Sequence, residues 1–127
     1  SVVEVSVLDG KLKVHKIFTV ADCGTVINQN TVRAQLEGAA VFGLSLALFG
    51  NITASEGRIV QGNYHDYEML RIHQTPEIQI EVVQSEDLPT GIGEPGVPVI
   101  APALINAIYD ATGKRFRSLP LKTHGLV

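Results

Sequence analysis

Between Leu88 and Tyr109 the only charged side chain is Glu94, set in Gly91-Ile92-Gly93-Glu94-Pro95-Gly96 immediately ahead of an apolar run. Burial disfavours the ionised form of a carboxylate and raises its pKa, which makes such a group a useful general base or acid near neutral pH. The plainer reading is a solvated loop glutamate beside a helix N-terminus, where negative charge is mildly favoured, and composition alone prefers it. The same hexapeptide fits G-x-G-x-x-G, a dinucleotide fingerprint that belongs between a strand and its helix in a βαβ unit. Its context argues against that site. Ser85 to Thr90 separates it from the strand near Val82, Pro95 stiffens the loop, and Asp110 falls inside the following helix.

Gln35 lies one turn before Ala39, on the flank of an apolar helical stripe, where its amide faces either solvent or a buried ligand. Asn63-Tyr64-His65-Asp66-Tyr67 mixes hydrogen-bonding side chains with aromatic rings that could line a pocket; a strand end plus turn explains it as well. His15, His65, His73 and His124 lack the paired spacing of zinc sites, so no metal ligand set is predicted. Cys23 is the only cysteine, which excludes an internal disulfide.

Positioning these groups falls to a small set of predicted elements. Val3, Val5 and Val7 alternate with Glu4 and Ser6, and Asp9-Gly10 is a hairpin signal before Leu12 and Val14. The second strand continues through Ile17, Phe18 and Val20, with a slip near Lys16 that predicts a bulge, and ends around Asp22-Cys23-Gly24. From about Asn30 to Phe49 the spacing is helical, with Asn30 or Thr31 as N-cap and charge confined to Arg33 and Glu37; this describes a helix buried nearly all round. Gly38 and Gly43 disfavour a helix by about 1 kcal/mol each, so close approach of a backbone or a ligand is expected there. A short hairpin is predicted around Ser55-Glu56-Gly57, and Ile78, Ile80 and Val82 predict a further antiparallel strand. Val99 to Thr112 reads as a second apolar helix ending at Gly113. The expected fold is α+β, with antiparallel strands and two core-facing helices in one domain over residues 1–127.

Composition narrows the class. Ten basic against thirteen acidic residues give a net charge of −3, which argues against nucleic acid as a partner. Charged residues are 18% and hydrophobic ones 45%, less charge than the roughly 25% of soluble domains, and this predicts apolar surface beyond what one domain needs. Ser1 at the start, with no cationic and apolar leader, predicts a chain cut from a longer precursor.

Asp22-Cys23-Gly24, then Arg33-Ala34-Gln35-Leu36-Glu37-Gly38, then Gly93-Glu94-Pro95-Gly96 before an alanine-rich helix occur in that order. This order resembles the xanthine dehydrogenase and aldehyde oxidase family of molybdenum hydroxylases. Within that family, Asn63 to Tyr67 and the closing Thr112 to Pro120 resemble the large (beta) subunit of isoquinoline 1-oxidoreductase and its bacterial aldehyde dehydrogenase relatives. The resemblance covers nearly the whole chain but only the C-terminal end of that subunit, part of a molybdenum-cofactor-binding domain.

The resemblance implies oxidation of an N-heteroaromatic or aldehyde substrate with water as oxygen source. Glu94 matches the family's catalytic glutamate, which acts as the base; Gln35 matches a glutamine that touches molybdopterin, and Gly93 lets backbone crowd the cofactor. The cofactor implied is molybdopterin, in its cytosine dinucleotide form, with molybdenum in the full-length enzyme and none in the isolated fragment. Implied partners are the remainder of the large subunit, a small iron-sulfur subunit and a small-molecule substrate. Exported relatives favour the periplasm slightly over the cytoplasm. One departure is Asn28-Gln29, where many relatives have Asn-Pro. The competing reading is a non-catalytic α+β interaction module in which Glu94 is incidental.

Overall fold

Alternating valines form β1 (Val2–Leu8), and the chain reverses at Asp9-Gly10 into β2 (Lys11–Ala21). Both turn residues have positive φ, 51° and 78°, the type I′ geometry whose twist matches the flanking strands. Glu4 pairs with Lys16 and Val5 with Val14, so His15 is the extra residue of a bulge at the expected slip. The computed structural model describes all of residues 1–127.

Helix α1 (Gln29–Leu48) begins earlier than its apolar stripe suggests. Its N-cap is Asn28, not Asn30 or Thr31, with extended backbone and a side-chain oxygen that accepts from the Thr31 N–H at 3.0 Å. Gln29 therefore occupies the first helical position, where proline is also favoured, and the helix start stands without it. After α1, β3 (Ala54–Ser55) and β4 (Arg58–Ile59) make a minimal hairpin through Glu56-Gly57. The next strand, β5 (Glu77–Val82), corrects the antiparallel expectation: it joins β2 in parallel, with Ile17 opposite Ile78 and Thr19 opposite Ile80. A long crossover containing α1 lies between the two strands, and a parallel return requires such a connection. The sheet order is β1-β2-β5.

Helix α2 (Ile100–Thr112) ends at Gly113, whose φ of 70° gives the left-handed cap and whose N–H reaches the Tyr109 carbonyl. Ile100, Leu104 and Ile108, spaced by four, are wholly buried and form the core with Ile17, Leu44 and Leu121. The molecule is thus α+β, with both helices against one sheet. Helix α1 is not buried nearly all round: Leu36, Ala40, Leu44 and Ala47 face inward, while Ala34, Gly38, Phe42 and Leu46 face solvent. Nothing in this chain covers that outer face. No helix is long and apolar enough to cross a membrane.

Candidate functional site

The segment from Ser85 to Val99 has little regular structure, so its shape depends on where it is tied. At its near end Thr25 donates to the Asp87 carbonyl from both its N–H (2.8 Å) and its hydroxyl (2.9 Å), and the Thr90 N–H donates to the Cys23 carbonyl at 2.9 Å. Gly24, with φ +72°, sits under Leu88; a Cβ there would stand 2.2 Å from the Leu88 carbonyl oxygen. From the residues alone Asp22-Cys23-Gly24 reads as a strand end, and in the resemblance it is the first of the ordered motifs; neither predicts its contact with Leu88. The signal for more was a glycine directly after a strand.

At its far end the segment is fastened along one stripe of α1 at residues spaced by four. Gln35 Nε2 donates to the Gly93 carbonyl at 2.8 Å. One turn on, Gly96 packs so closely on Ala39 that a Cβ would lie 2.7 Å from the Ala39 methyl. Another turn on, a Cβ on Gly43 would meet the Val97 carbonyl oxygen at 2.8 Å. Between the first two fastenings, Glu94 and Pro95 form an arch closed by the Val97 N–H donating to the Glu94 carbonyl at 3.0 Å.

The structure brings Gln35, Gly93 and Glu94 together in one cleft of about 840 Å³, walled on the α1 side by Ala34, Gly38 and Phe42. The sequence alone assigns neither Ala34 nor Phe42 a role of its own, and at the two helix glycines it predicts close approach of either a backbone or a ligand. Gly43 is closely packed; a Cβ on Gly38 would meet nothing within 4 Å, so that glycine keeps backbone open to the cleft. Glu94 itself is solvent-exposed, in line with the plainer reading of a solvated loop glutamate: apolar neighbours in sequence do not cover it, because the arch lies on the outside of α1.

The other candidates lie elsewhere. Asn63 to Tyr67 is an exposed turn closed on itself, with the Gly62 N–H donating to Asp66 Oδ2 at 3.0 Å and the Asp66 N–H to the Asn63 carbonyl at 3.1 Å. His65 pairs with Asp66 at 2.6 Å, and His15 and His124 bond to Ser6 and Ser118. No group of three or more His, Cys, Asp or Glu side chains is arranged to hold a metal ion.

The cleft therefore presents one amide, one carboxylate and bare backbone at Gly38 and Gly93. This donor set suits an organic group held by hydrogen bonds; it does not suit a metal ligated by protein side chains. Gln35 uses one N–H on Gly93 and keeps its second N–H and its Oε1 uncommitted.

Comparison with known proteins adds four findings. A family model described as the molybdopterin cofactor-binding domain matches residues 1–76, a span that includes Gln35 but stops short of Gly93 and Glu94. The chain is 42% identical over 113 residues to a membrane-bound aldehyde dehydrogenase [pyrroloquinoline-quinone] of Gluconacetobacter polyoxogenes, covering 89% of this chain and 15% of that protein. It is 36% identical to the isoquinoline 1-oxidoreductase subunit beta of Brevundimonas diminuta, covering 90% of this chain and 15% of that one. Its fold superposes on quinoline 2-oxidoreductase from Pseudomonas putida 86 with a TM-score of 0.79 at 24% identity, over 87% of this chain and 15% of the other. The chain thus spans about 15% of the length of the relatives it matches.

Proposed function

The chain belongs to the molybdopterin cofactor-binding domain family, and from that premise we propose that it is the C-terminal part of the large subunit of a molybdenum hydroxylase. The reaction is oxidation of an N-heteroaromatic or aldehyde substrate with water as oxygen source. The relatives' names, an aldehyde dehydrogenase and an isoquinoline oxidoreductase, support that pair of substrate classes. The quinone in the first name is a different cofactor; the family match is what supports molybdopterin, here taken in its cytosine dinucleotide form.

One observation carries the reading: Gln35, Gly93 and Glu94 meet in a single cleft beside α1. The bound cofactor supplies the two-electron redox chemistry. Gln35 holds it through the N–H and Oε1 that Gly93 leaves uncommitted, and Gly93 contributes backbone without a side chain in the way. Glu94 accepts, at a carboxylate oxygen, the proton released as water-derived oxygen adds to the substrate carbon. Because Glu94 is exposed here, the remainder of the large subunit supplies the walls that exclude water. In this reading electrons leave through a small iron-sulfur subunit, a partner supported by the naming of the isoquinoline 1-oxidoreductase relative as one subunit of its enzyme. A non-catalytic interaction module would account for the exposed apolar face of α1 but leaves the convergence of those three residues unexplained.

The test is metal and pterin analysis of the intact complex with candidate heteroaromatic and aldehyde substrates. Stoichiometric molybdenum and pterin with substrate-dependent reduction is expected. A complex free of molybdenum, or one loaded with it and inert to both classes, overturns the proposal.

A further inference from the structure

We propose that Gln35 is a positioning residue for Glu94, acting through the Gly93 carbonyl in addition to any contact with the cofactor. The inference rests on the reading of Glu94 as the base. A carboxylate on a surface arch has no intrinsic reason to hold one place; proton transfer demands that it does, and a misplacement of about 1 Å can cost about 100-fold in rate. Glu94 has no ion pair that would fix it. What fixes the arch is its two feet. One is the 2.8 Å bond from Gln35 Nε2 to the Gly93 carbonyl, and the other is the contact of Gly96 with Ala39 and Leu36.

The two feet differ in kind. Gly96 is held by shape, since a Cβ would fall 2.7 Å from the Ala39 methyl and 3.3 Å from Leu36 Cδ2. Gly93 has nothing within 4 Å of where its own Cβ would be, so the hydrogen bond to Gln35 is what holds it down. Gln35 sits one helical turn from Ala39, which places both feet on one rigid stripe of α1. An amide is suited to the task because it donates to Gly93 while its oxygen and second N–H stay available to the cofactor. Occupancy of the cleft and placement of the base are thereby joined through one side chain.

The experiment uses the cofactor-loaded full-length enzyme containing this chain, with rates expressed per bound molybdenum. Gln35→Met keeps length and removes the donor. Its kcat is expected to fall by about 100-fold, with KM little changed, while amide exchange across Gly93 to Val97 rises by at least about tenfold. Gly96→Ala, which lifts the other foot, should behave likewise, and adding Ala39→Gly to it should restore both exchange and kcat. Wild-type kcat per molybdenum in Gln35→Met overturns the proposal. A fall in kcat with unchanged exchange also overturns it, because Gln35 would then act through the cofactor alone. If Gln35→Met does not fold, the Gly96→Ala variant decides: failure of Ala39→Gly to rescue it sinks the arch. Glu94→Gln run alongside separates the two readings. An active Glu94→Gln enzyme removes the base, whereas exchange across Gly93 to Val97 still reports whether Gln35 holds the loop.

Discussion

Gly43 of α1 lies against the Val97 carbonyl so closely that a Cβ would stand 2.8 Å from its oxygen and 2.9 Å from Ile100 Cβ. Gly38, five residues earlier on the same helix, has open space where its Cβ would be. Two glycines with one intrinsic helix penalty thus serve different ends, and alanine separates them.

Gly43→Ala should destabilise the chain even though it gains about 1 kcal/mol of helix propensity, because overpacking against a backbone carbonyl costs about 1–3 kcal/mol. Chemical denaturation of wild type and variant measures this. An alanine variant as stable as wild type would mean that the junction of α1 with the start of α2 yields readily.

Gly38→Ala should do the opposite, raising stability by about 0.5–1 kcal/mol since nothing obstructs the methyl. The methyl would enter the cleft, so cofactor content of the full-length enzyme should fall. Full molybdenum and pterin occupancy in a stabilised Gly38→Ala enzyme would show that the cofactor does not approach this wall.

What the sequence made legible was local. The Asp9-Gly10 hairpin and the bulge at His15 follow from alternation within neighbouring residues. The direction of β5 does not, because a period of two reads the same in either direction, and only the long crossover decides it. The N-cap was misplaced because Asn28, Asn30 and Thr31 are all competent caps ahead of an apolar stripe that begins at Val32. Burial of α1 was overestimated for a related reason: an apolar face says that something covers it, not that the cover lies in the same chain. Gln35 and Gly93 are 58 positions apart, and no spacing rule joins them. Resemblance alone put them in one site.

Glu77 of β5 faces Lys16 of β2 across the parallel pair at 2.9 Å and accepts from Gln79 at 2.7 Å. The Lys16 hydrogen bond first, then that from Gln79, holds its carboxyl below the ordinary glutamate range. A depressed folded-state pKa contributes stability above the unfolded pKa, lost as pH falls through the folded one. The stability gap between wild type and Glu77→Gln should therefore be present near neutral pH, close on acidification through the carboxylate range, and shrink with added salt. A gap independent of pH would show that the loss in Glu77→Gln is one of packing.

The isolated 127-residue chain should bind no molybdenum and turn over no substrate, since its cleft is open and Glu94 exposed. It should also associate or bind an apolar dye, because Phe42 is 51% and Leu46 37% exposed on the uncovered face of α1. Elemental analysis and light scattering check the two halves. Stoichiometric molybdenum on the purified chain would mean that the cofactor site is complete within it.

Glu94→Gln in the intact enzyme should keep the fold and the molybdenum while removing the base. Glutamine preserves shape and cannot take the proton, and loss of a general base costs about 10²- to 10⁴-fold, roughly 3 to 5 kcal/mol in barrier. The arch that carries Glu94 makes this a clean substitution. Its fastenings are the Gly93 carbonyl, the Gly96 backbone and the Glu94 carbonyl, none of which involves the carboxylate. The measurement is the rate of substrate-driven reduction in variant enzyme whose metal content matches wild type. A loss below about tenfold, or roughly 1.4 kcal/mol, would mean that Glu94 is not the essential base.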